Sequence, residues 1–402
     1  MKRIASLSAL FLLSASLAFS WDFGLWLDQR FEPENKLFVS KTGLAPWFSW
    51  DGGKGLSVYL SGFFSAQYNN SDDGYSGNDG FAKPELLPEL TRFALSYQSG
   101  QNYSFEVGRI FYTDALGVTA SGLFDGFHFD ATFAPGTLSA GVYYTGLQYR
   151  ERAEVLMTRS DRDHYGLDPR QLEDYSDYFA SRRLFVPVRW DMPIGELNNL
   201  SFEALFQVDL NGRDDTLHSQ YGEIQLDIFA LSGLRFSVGA FGEAMEGMED
   251  ANDLSLGFGA LGIIGVELPL AVSSGLKFTT RYCSGPWNDT VTAFTPISAH
   301  ALGMVFPGTF SGIWENKLNF DVRVVQSLFF QSALSYYTQT YSEQGSNDYL
   351  YGGEVSASFA WQPIDDLQIY FGGGLFFPQL GNIYPTDTGT MWKISAGLSM
   401  AF

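Results

Sequence analysis

The last eight residues, Ser395-Ala396-Gly397-Leu398-Ser399-Met400-Ala401-Phe402, decide the fold class of this chain. They complete a strictly alternating stretch. One face carries Trp392, Ile394, Ala396, Leu398, Met400 and Phe402, and the other carries Lys393, Ser395, Gly397, Ser399 and Ala401. Successive side chains of a β-strand point to opposite faces. An apolar face opposite a small, polar one is typical of a strand between lipid and a wet lumen. The stretch therefore predicts an all-β, closed antiparallel transmembrane β-barrel.

The same segment resembles the C-terminal sorting signal of bacterial outer-membrane β-barrel proteins. The matching positions are a polar residue, a glycine, an apolar residue and a terminal aromatic, here Ser395, Gly397, Met400 and Phe402. The resemblance implies that periplasmic chaperones and the barrel-assembly machinery handle the chain and that the last strand is the one that this machinery recognises.

The N-terminus has the pattern of a secretory signal peptide. A positively charged start, Met1-Lys2-Arg3, precedes a small and apolar run from Ile4 to Leu17. Ala18-Phe19-Ser20 then resembles a cleavage site before Trp21. We expect cleavage between Ser20 and Trp21, export through the Sec pathway and a mature chain of residues 21–402 that forms one barrel in the outer membrane.

Composition agrees with a sheet that has two different faces. Aromatic residues make up 16% of the chain and Gly numbers 43, yet they alternate with polar residues, and the formal net charge is −21. Removal of Lys2 and Arg3 with the signal peptide changes that charge to −23 (−21 − 2). Strong acidity argues against nucleic-acid binding. A single cysteine, Cys283, excludes an internal disulfide.

Apolar residues recur with a period of two from Leu56 to the C-terminus, and the connections between these rows alternate between short turns and long polar loops. The longest loops are 70–88, 150–182 and 284–314. Such alternation is typical of periplasmic turns and extracellular loops. Sixteen strands follow from this region. Residues 22–31 and 36–49 can add one hairpin, so we favour 18 strands over the alternative of 16. A soluble sandwich would leave sheet edges that aggregate.

The parity of the rows assigns a set of ionisable residues to the lumen wall. The acids are Glu106, Asp130, Glu203, Asp209, Glu223, Asp227, Glu243, Glu267, Asp321 and Glu354. The bases are Arg92, Arg235, Lys277, Arg281, Arg323 and Lys393. Ionisable groups in hydrocarbon are costly, so their confinement to one parity indicates a wet or self-paired interior. They either pair across strands and fill the barrel, or line a permeation path whose acidic excess mildly favours cations.

Two further patterns suggest chemistry only weakly. His128 and Asp130 share a face and could form a catalytic base with its orienting acid, but no nucleophile motif accompanies them. We therefore predict that the two side chains form a hydrogen bond in the lumen and that the protein is not an enzyme. Asp161 and Asp163 resemble the start of an EF-hand, but Tyr165 and Leu172 occupy ligand positions. We predict no metal and no cofactor. Loop 150–182 is expected to form a constriction or an outer contact surface.

Three segments resemble a family of large, treponemal-type outer-membrane proteins of spirochaetes. They are Gly108-Arg109-Ile110-Phe111-Tyr112-Thr113-Asp114, Asp125-Gly126-Phe127 and Tyr143-Tyr144-Thr145-Gly146-Leu147. The resemblance implies an outer-membrane location and a barrel fold.

The favoured function is a porin-like channel for the passive diffusion of small hydrophilic solutes, weakly cation-selective. A surface adhesin or structural barrel that binds through its loops is one alternative, and a transporter of hydrophobic compounds is another. The surroundings of the barrel would be outer-membrane lipid, and a homotrimer is left open.

Overall fold

A computed structural model describes residues 20–34, 37–70, 85–150, 152–158, 161, 178–211, 217–231, 233–246, 254–268, 272–287, 290–342 and 348–402. They form one sheet of 18 antiparallel strands, which closes because β1 pairs with β18 from Trp26↔Ala401 to Glu34↔Lys393. The prediction of an 18-stranded closed barrel is confirmed. The predicted signal peptide lies outside the described residues except for Ser20, where β1 begins.

Each strand pairs with its neighbours in chain order. The strands are β1 Ser20–Glu34, β2 Leu37–Gly53, β3 Leu56–Asn70, β4 Glu85–Ser99, β5 Tyr103–Thr113, β6 Ser121–Phe133, β7 Gly136–Tyr144, β8 Arg183–Ile194, β9 Asn198–Asp209, β10 His218–Leu231, β11 Leu234–Glu246, β12 Leu254–Glu267, β13 Ser274–Cys283, β14 Ile313–Val325, β15 Leu328–Gln339, β16 Leu350–Ile364, β17 Leu367–Phe377 and β18 Met391–Ala401.

The first hairpin extends further than its sequence pattern indicates. β1 and β2 stay in register from Ser20↔Asp51 to Glu34↔Leu37, so both predicted segments are strands. Asp51-Gly52-Gly53 has the composition of a turn, but the turn between β2 and β3 lies at Lys54-Gly55. A register shift carries the β2–β3 ladder on to Gly53, and Gly53 and Gly55 have φ values of +69° and +84°. Glycine adopts that left-handed region without a steric penalty, which allows the later turn.

The outer surface of the barrel is apolar and rich in aromatic side chains. On the outward faces of β4 to β6, Tyr97 stacks on Phe105, and Phe105 in turn contacts Phe129 with ring centroids 4.9 Å apart. Offset or tilted aromatic pairs add to the apolar area that each ring covers. The predicted outward parity thus places these rings on the surface that would face lipid. Among the described residues, no helix is both long and apolar enough to cross a bilayer.

The buried core lies inside the barrel, between the wall and loops that fold inward. Phe306 of the β13–β14 connection stacks on Tyr337 of β15 with ring centroids 4.2 Å apart. Phe294 of the same connection lies 4.7 Å from Phe241 of β11. Both loop phenylalanines are almost completely buried. Aromatic burial of this size fixes the loop against the wall, so the loop narrows the lumen from within.

Candidate functional site: the lumen constriction

Three connections meet inside the lumen and form a constriction. They are residues 114–120 after β5, residues 147–158 after β7 and residues 284–312 after β13, named here loop A, loop B and loop C. Ile297 of loop C donates its N–H to the carbonyl of Thr119 in loop A at 2.7 Å. Leu156 of loop B donates to the carbonyl of Ile297 at 2.9 Å, and Ala299 donates to that of Glu154 at 3.2 Å. Backbone hydrogen bonds therefore join the three loops to one another.

Loop A is a compact turn built around one carboxylate. Asp114 accepts hydrogen bonds from the backbone N–H groups of Val118 at 3.1 Å and Thr119 at 2.6 Å, and also from Ala120. Burial raises the pKa of Asp114, and the N–H groups of the turn act in the opposite direction. A carboxylate that accepts several N–H groups fixes the backbone around it, so loop A is held as a rigid element.

Two wall acids from the predicted set hold loop A. Glu203 of β9 accepts the N–H of Ala115 at 2.6 Å and also the hydroxyl of Tyr112. Glu223 of β10 accepts the N–H of Leu116 at 3.3 Å and the hydroxyl of Thr119. These acids point into the lumen as the parity predicted, but they contact loop backbone. Their carboxyl groups thus anchor loop A to the wall.

Two other wall acids hold loop C in the same way. Glu243 of β11 accepts the N–H of Thr295 at 2.7 Å. Glu354 of β16 accepts three consecutive N–H groups, from Met304 at 2.7 Å, Val305 at 3.1 Å and Phe306 at 2.7 Å. All of these groups lie away from bulk water, where hydrogen bonds to a charged acceptor are strong. The acids of β9, β10, β11 and β16 together attach the infolded loops to the wall.

Below loop A, a cavity of about 200 Å³ opens to the lumen and is lined in part by His128, Ser139, Arg189, Asp191 and Glu203. The Nε of Arg189 donates to Asp191 at 2.9 Å, and His128 Nε2 lies 2.9 Å from Asp130 Oδ1. The cavity therefore presents groups of both signs to a solute.

The remaining predicted wall residues mostly form ion pairs between strands. Arg92 pairs with Glu106 at 3.5 Å, and Arg235 pairs with Asp227 at 2.9 Å. Further pairs join Arg281 to Glu315 and Arg183 to Asp209. Lys277 lies in register with Asn319, Asp321 with Gln331, Lys393 with Gly374 and Glu267 with Gly275. Arg323 donates to the carbonyl of Gln326 in a turn at 3.1 Å, away from the constriction.

The expectation that ionisable groups keep to the inward parity is wrong at Arg109 and Asp125. Arg109 of β5 and Asp125 of β6 are registered neighbours on the outward parity and form a two-contact pair, 2.9 Å at each contact. Only 6% of the Arg109 side chain is exposed. Mutual pairing and burial make the departure tolerable, because each charge is compensated before it meets an apolar environment.

Sequence reasoning missed several residues of the site. Arg189 and Asp191 could have been found, because Val186, Val188 and Trp190 form an apolar row with a period of two, and residues of the opposite parity must point to the other face. Glu154 and His300 carry no periodic signal, since they lie on loops. His300 Nδ1 lies 3.7 Å from Glu154 Oε1, where loops B and C meet, and 54% of the Glu154 side chain is exposed.

The structure describes loop 150–182 in part and the C-terminal signal in full. In loop 150–182, residues 162–177 lie outside the described residues, including most of the rejected EF-hand pattern. The described stretch 152–158 belongs to the constriction. In the C-terminal signal, Met400 and Gly397 lie in register with Leu27 and Arg30 of β1, and Phe402 exchanges two backbone hydrogen bonds with Leu25. The terminal residue thus contributes to barrel closure.

Comparison with known proteins shows likeness in fold alone. No protein-family model matches the chain, and no curated protein matches it by sequence. Among solved structures, Pseudomonas aeruginosa OpdK in complex with vanillate matches with a TM-score of 0.64 at 12% identity, over 95% of this chain and 98% of that one. Pseudomonas aeruginosa OccK7 (OpdD) matches with a TM-score of 0.61 at 14% identity, over 95% and 99%. Another structure of OpdK, described as an outer membrane protein, matches with a TM-score of 0.61 at 11% identity, over 95% and 99%.

Proposed function

We propose that the protein is a porin-like channel of the outer membrane for the passive diffusion of small hydrophilic solutes. The observation that carries the proposal is a lumen narrowed by anchored loops but still lined with solvent-exposed charges. Arg92 and Arg235 expose 43% and 50% of their side chains, and Glu154 at the constriction exposes 54%. A polar lumen inside an apolar barrel is the arrangement of a water-filled channel.

The anchoring of the loops supports a fixed constriction. Loops A and C contact the wall through Glu203, Glu223, Glu243 and Glu354, and their apolar side chains pack on wall aromatics. Solutes would pass between this constriction and the rest of the wall, where they would be sorted by size and by charge. We propose a weak preference for cations, because Glu154 is exposed there and the chain as a whole is acidic.

The similar solved barrels support this reading. They share the 18-stranded architecture over nearly their whole length, one is described as an outer membrane protein, and one holds the small solute vanillate. The sequence resemblance to spirochaete outer-membrane proteins at Gly108–Asp114 adds support for the location.

Conductance in planar lipid bilayers tests the proposal. Purified, folded protein should give discrete, long-lived current steps at low voltage, and the same preparation after thermal denaturation should give none. Folded protein that inserts into the bilayer and stays electrically silent would contradict the channel and favour the surface adhesin.

A further inference from the structure

The backbone hydrogen bonding between neighbouring strands β4 and β5 stops before the two strands end. The ladder between β4 and β5 runs from Ser99↔Tyr103 to Phe93↔Arg109 and ends there. Beyond that pair, and among the residues that the structure describes, 85–92 of β4 pair only with β3 and Ile110–Thr113 of β5 pairs only with β6. These two unpaired edges are named here the β4–β5 seam. It occupies the half of the wall nearer the long loops.

Strands β12 and β13 also separate before they end, and there the backbone of a loop bonds to the free strand edge. The β12–β13 ladder ends at Gly259↔Cys283. There loop C adds its own main chain to the β12 edge: Leu256 donates to the carbonyl of Thr290 at 2.8 Å and accepts the N–H of Thr292 at 3.0 Å. This edge therefore gains the equivalent of another strand.

The β4–β5 seam is closed differently, since the bonds described across it come from side chains. The Arg109 guanidinium donates to the carbonyl of Leu90 on β4, to the carbonyl of Leu147 in loop B at 2.9 Å, and to Asp125 on β6. The hydroxyl of Tyr178 donates to the carbonyl of Pro88 at 2.7 Å. Proline without an N–H suits an unpaired edge. Side-chain bonds can exchange without breaking a ladder, so this seam can separate more easily than a continuous ladder of backbone hydrogen bonds.

The two sides of the seam differ in chemistry. Outside, Leu90, Phe93 and Phe111 are each exposed by 40% or more and would lie in lipid. Inside, Ala94 and Ile110 are almost fully buried beside the polar pair of Arg92 and Glu106. Unsatisfied backbone in hydrocarbon is expensive, and lateral openings must therefore be closed at rest by other donors. Three side chains supply donors here: Arg109 bonds directly from β5 to β4, while Tyr178 and Arg152 bond to β4 from the β7–β8 connection.

We propose that the β4–β5 seam is a lateral gate, latched by Arg109, that lets small amphipathic molecules with an apolar body and one polar group pass between the lumen and the outer leaflet. This route is additional to axial diffusion of hydrophilic solutes and does not depend on it. In the structure the gate is closed, with Arg109 bonded to β4, β6 and loop B. Release of that guanidinium would let the two edges separate.

Thiol accessibility tests the gate. In a Cys283→Ala background, Ala94→Cys places one thiol on the lumen face at the end of the ladder that borders the seam. Ser237→Cys is the matched control, because Ser237 is equally buried, faces the lumen and sits on β11, which is registered there with both β10 and β12. Folded protein in phosphatidylcholine vesicles is treated with a lipid-anchored maleimide, and separately with a charged, water-soluble methanethiosulfonate.

The lipid-anchored reagent should label Ala94→Cys severalfold faster than Ser237→Cys, and Arg109→Met should accelerate only the former. Equal rates for the two thiols with that reagent would overturn the gate, even where the water-soluble reagent reaches both. If Arg109→Met does not fold, the comparison with Arg109 intact decides the question alone.

Discussion

Glu354 Oε2 accepts the backbone N–H of Phe306 at 2.7 Å, and so ties β16 of the wall to the tip of loop C. The same carboxylate accepts Met304 and Val305, while the Phe306 ring stacks on Tyr337. One acid and one aromatic ring thus hold the same segment by independent means. The relationship gives a direct way to ask whether the constriction is fixed.

Glu354→Gln should loosen loop C without unfolding the barrel. A carboxylate offers two acceptor oxygens to the N–H groups of the loop, whereas an amide offers one oxygen and an NH₂ group that cannot accept. Hydrogen bonds to a charged group are worth about 1.5–3 kcal/mol each. We expect larger and noisier single-channel steps in planar bilayers. Glu106→Gln is the control, since Glu106 pairs with Arg92 and not with a loop. Recordings of Glu354→Gln as quiet as those of the control would show that the carboxylate does not hold the loop.

Phe129→Arg should strongly impair folding into vesicles, whereas Thr132→Arg should be mild. Phe129 lies in the outer aromatic row, with its ring 6.4 Å from that of Tyr103, while Thr132 lies on the lumen side, 3.1 Å from Thr137. Arginine on the lipid face near the midplane costs about 2–4 kcal/mol. Denaturant titration of each refolded variant measures the difference, and equal destabilisation would reverse the assigned facing of β6.

Deletion of Phe402, or Phe402→Ala, should reduce assembly in the outer membrane. The terminal aromatic matches the sorting signal, and its backbone also closes the barrel against Leu25. Phe402→Tyr keeps both features and serves as the control. Assembly is measured as heat-modifiable mobility of the membrane fraction. If the deletion variant reached that fraction in normal amounts, the interpretation of the C-terminus as a sorting signal would be wrong.

Most of the barrel could be predicted because a strand has a period of exactly two residues, so each outward row of apolar residues also assigns its inward neighbours. The position of the loops could not. Glu203 contacts Ala115 across 88 positions of sequence, and no local pattern in loop A announces that contact. The wall acids could be assigned to the lumen, but their partners there depend on how the loops fold inward.

The Arg109–Asp125 pair shows a second limit of sequence reasoning. Parity alone indicated that outward positions would be apolar, and it gave no reason to expect a charge there. The pair is intelligible only once the end of the β4–β5 ladder is known, because the unpaired carbonyl of Leu90 then requires a donor. Ladder ends are tertiary features that follow from the tilt and closure of the whole barrel.

The origin of charge selectivity can be separated by two sets of variants. Glu203 and Glu223 face the lumen but are engaged by loop A. Glu154 is more than half exposed, and the Nδ1 of His300 lies 3.7 Å from its Oε1. An exposed carboxylate on a loop of the constriction acts on passing ions more directly than carboxyl groups already bonded to N–H groups.

Glu154→Gln should therefore lower the preference for potassium over chloride without added current noise, measured as the reversal potential under a salt gradient. Glu203→Gln with Glu223→Gln should also lower that preference, but with noisier currents, because loop A loses its anchors. Glu196→Gln, in an exposed turn between β8 and β9, is the control. A reversal potential unchanged by Glu154→Gln but shifted by the double variant would place the filter at the wall below loop A, and not where loops B and C meet.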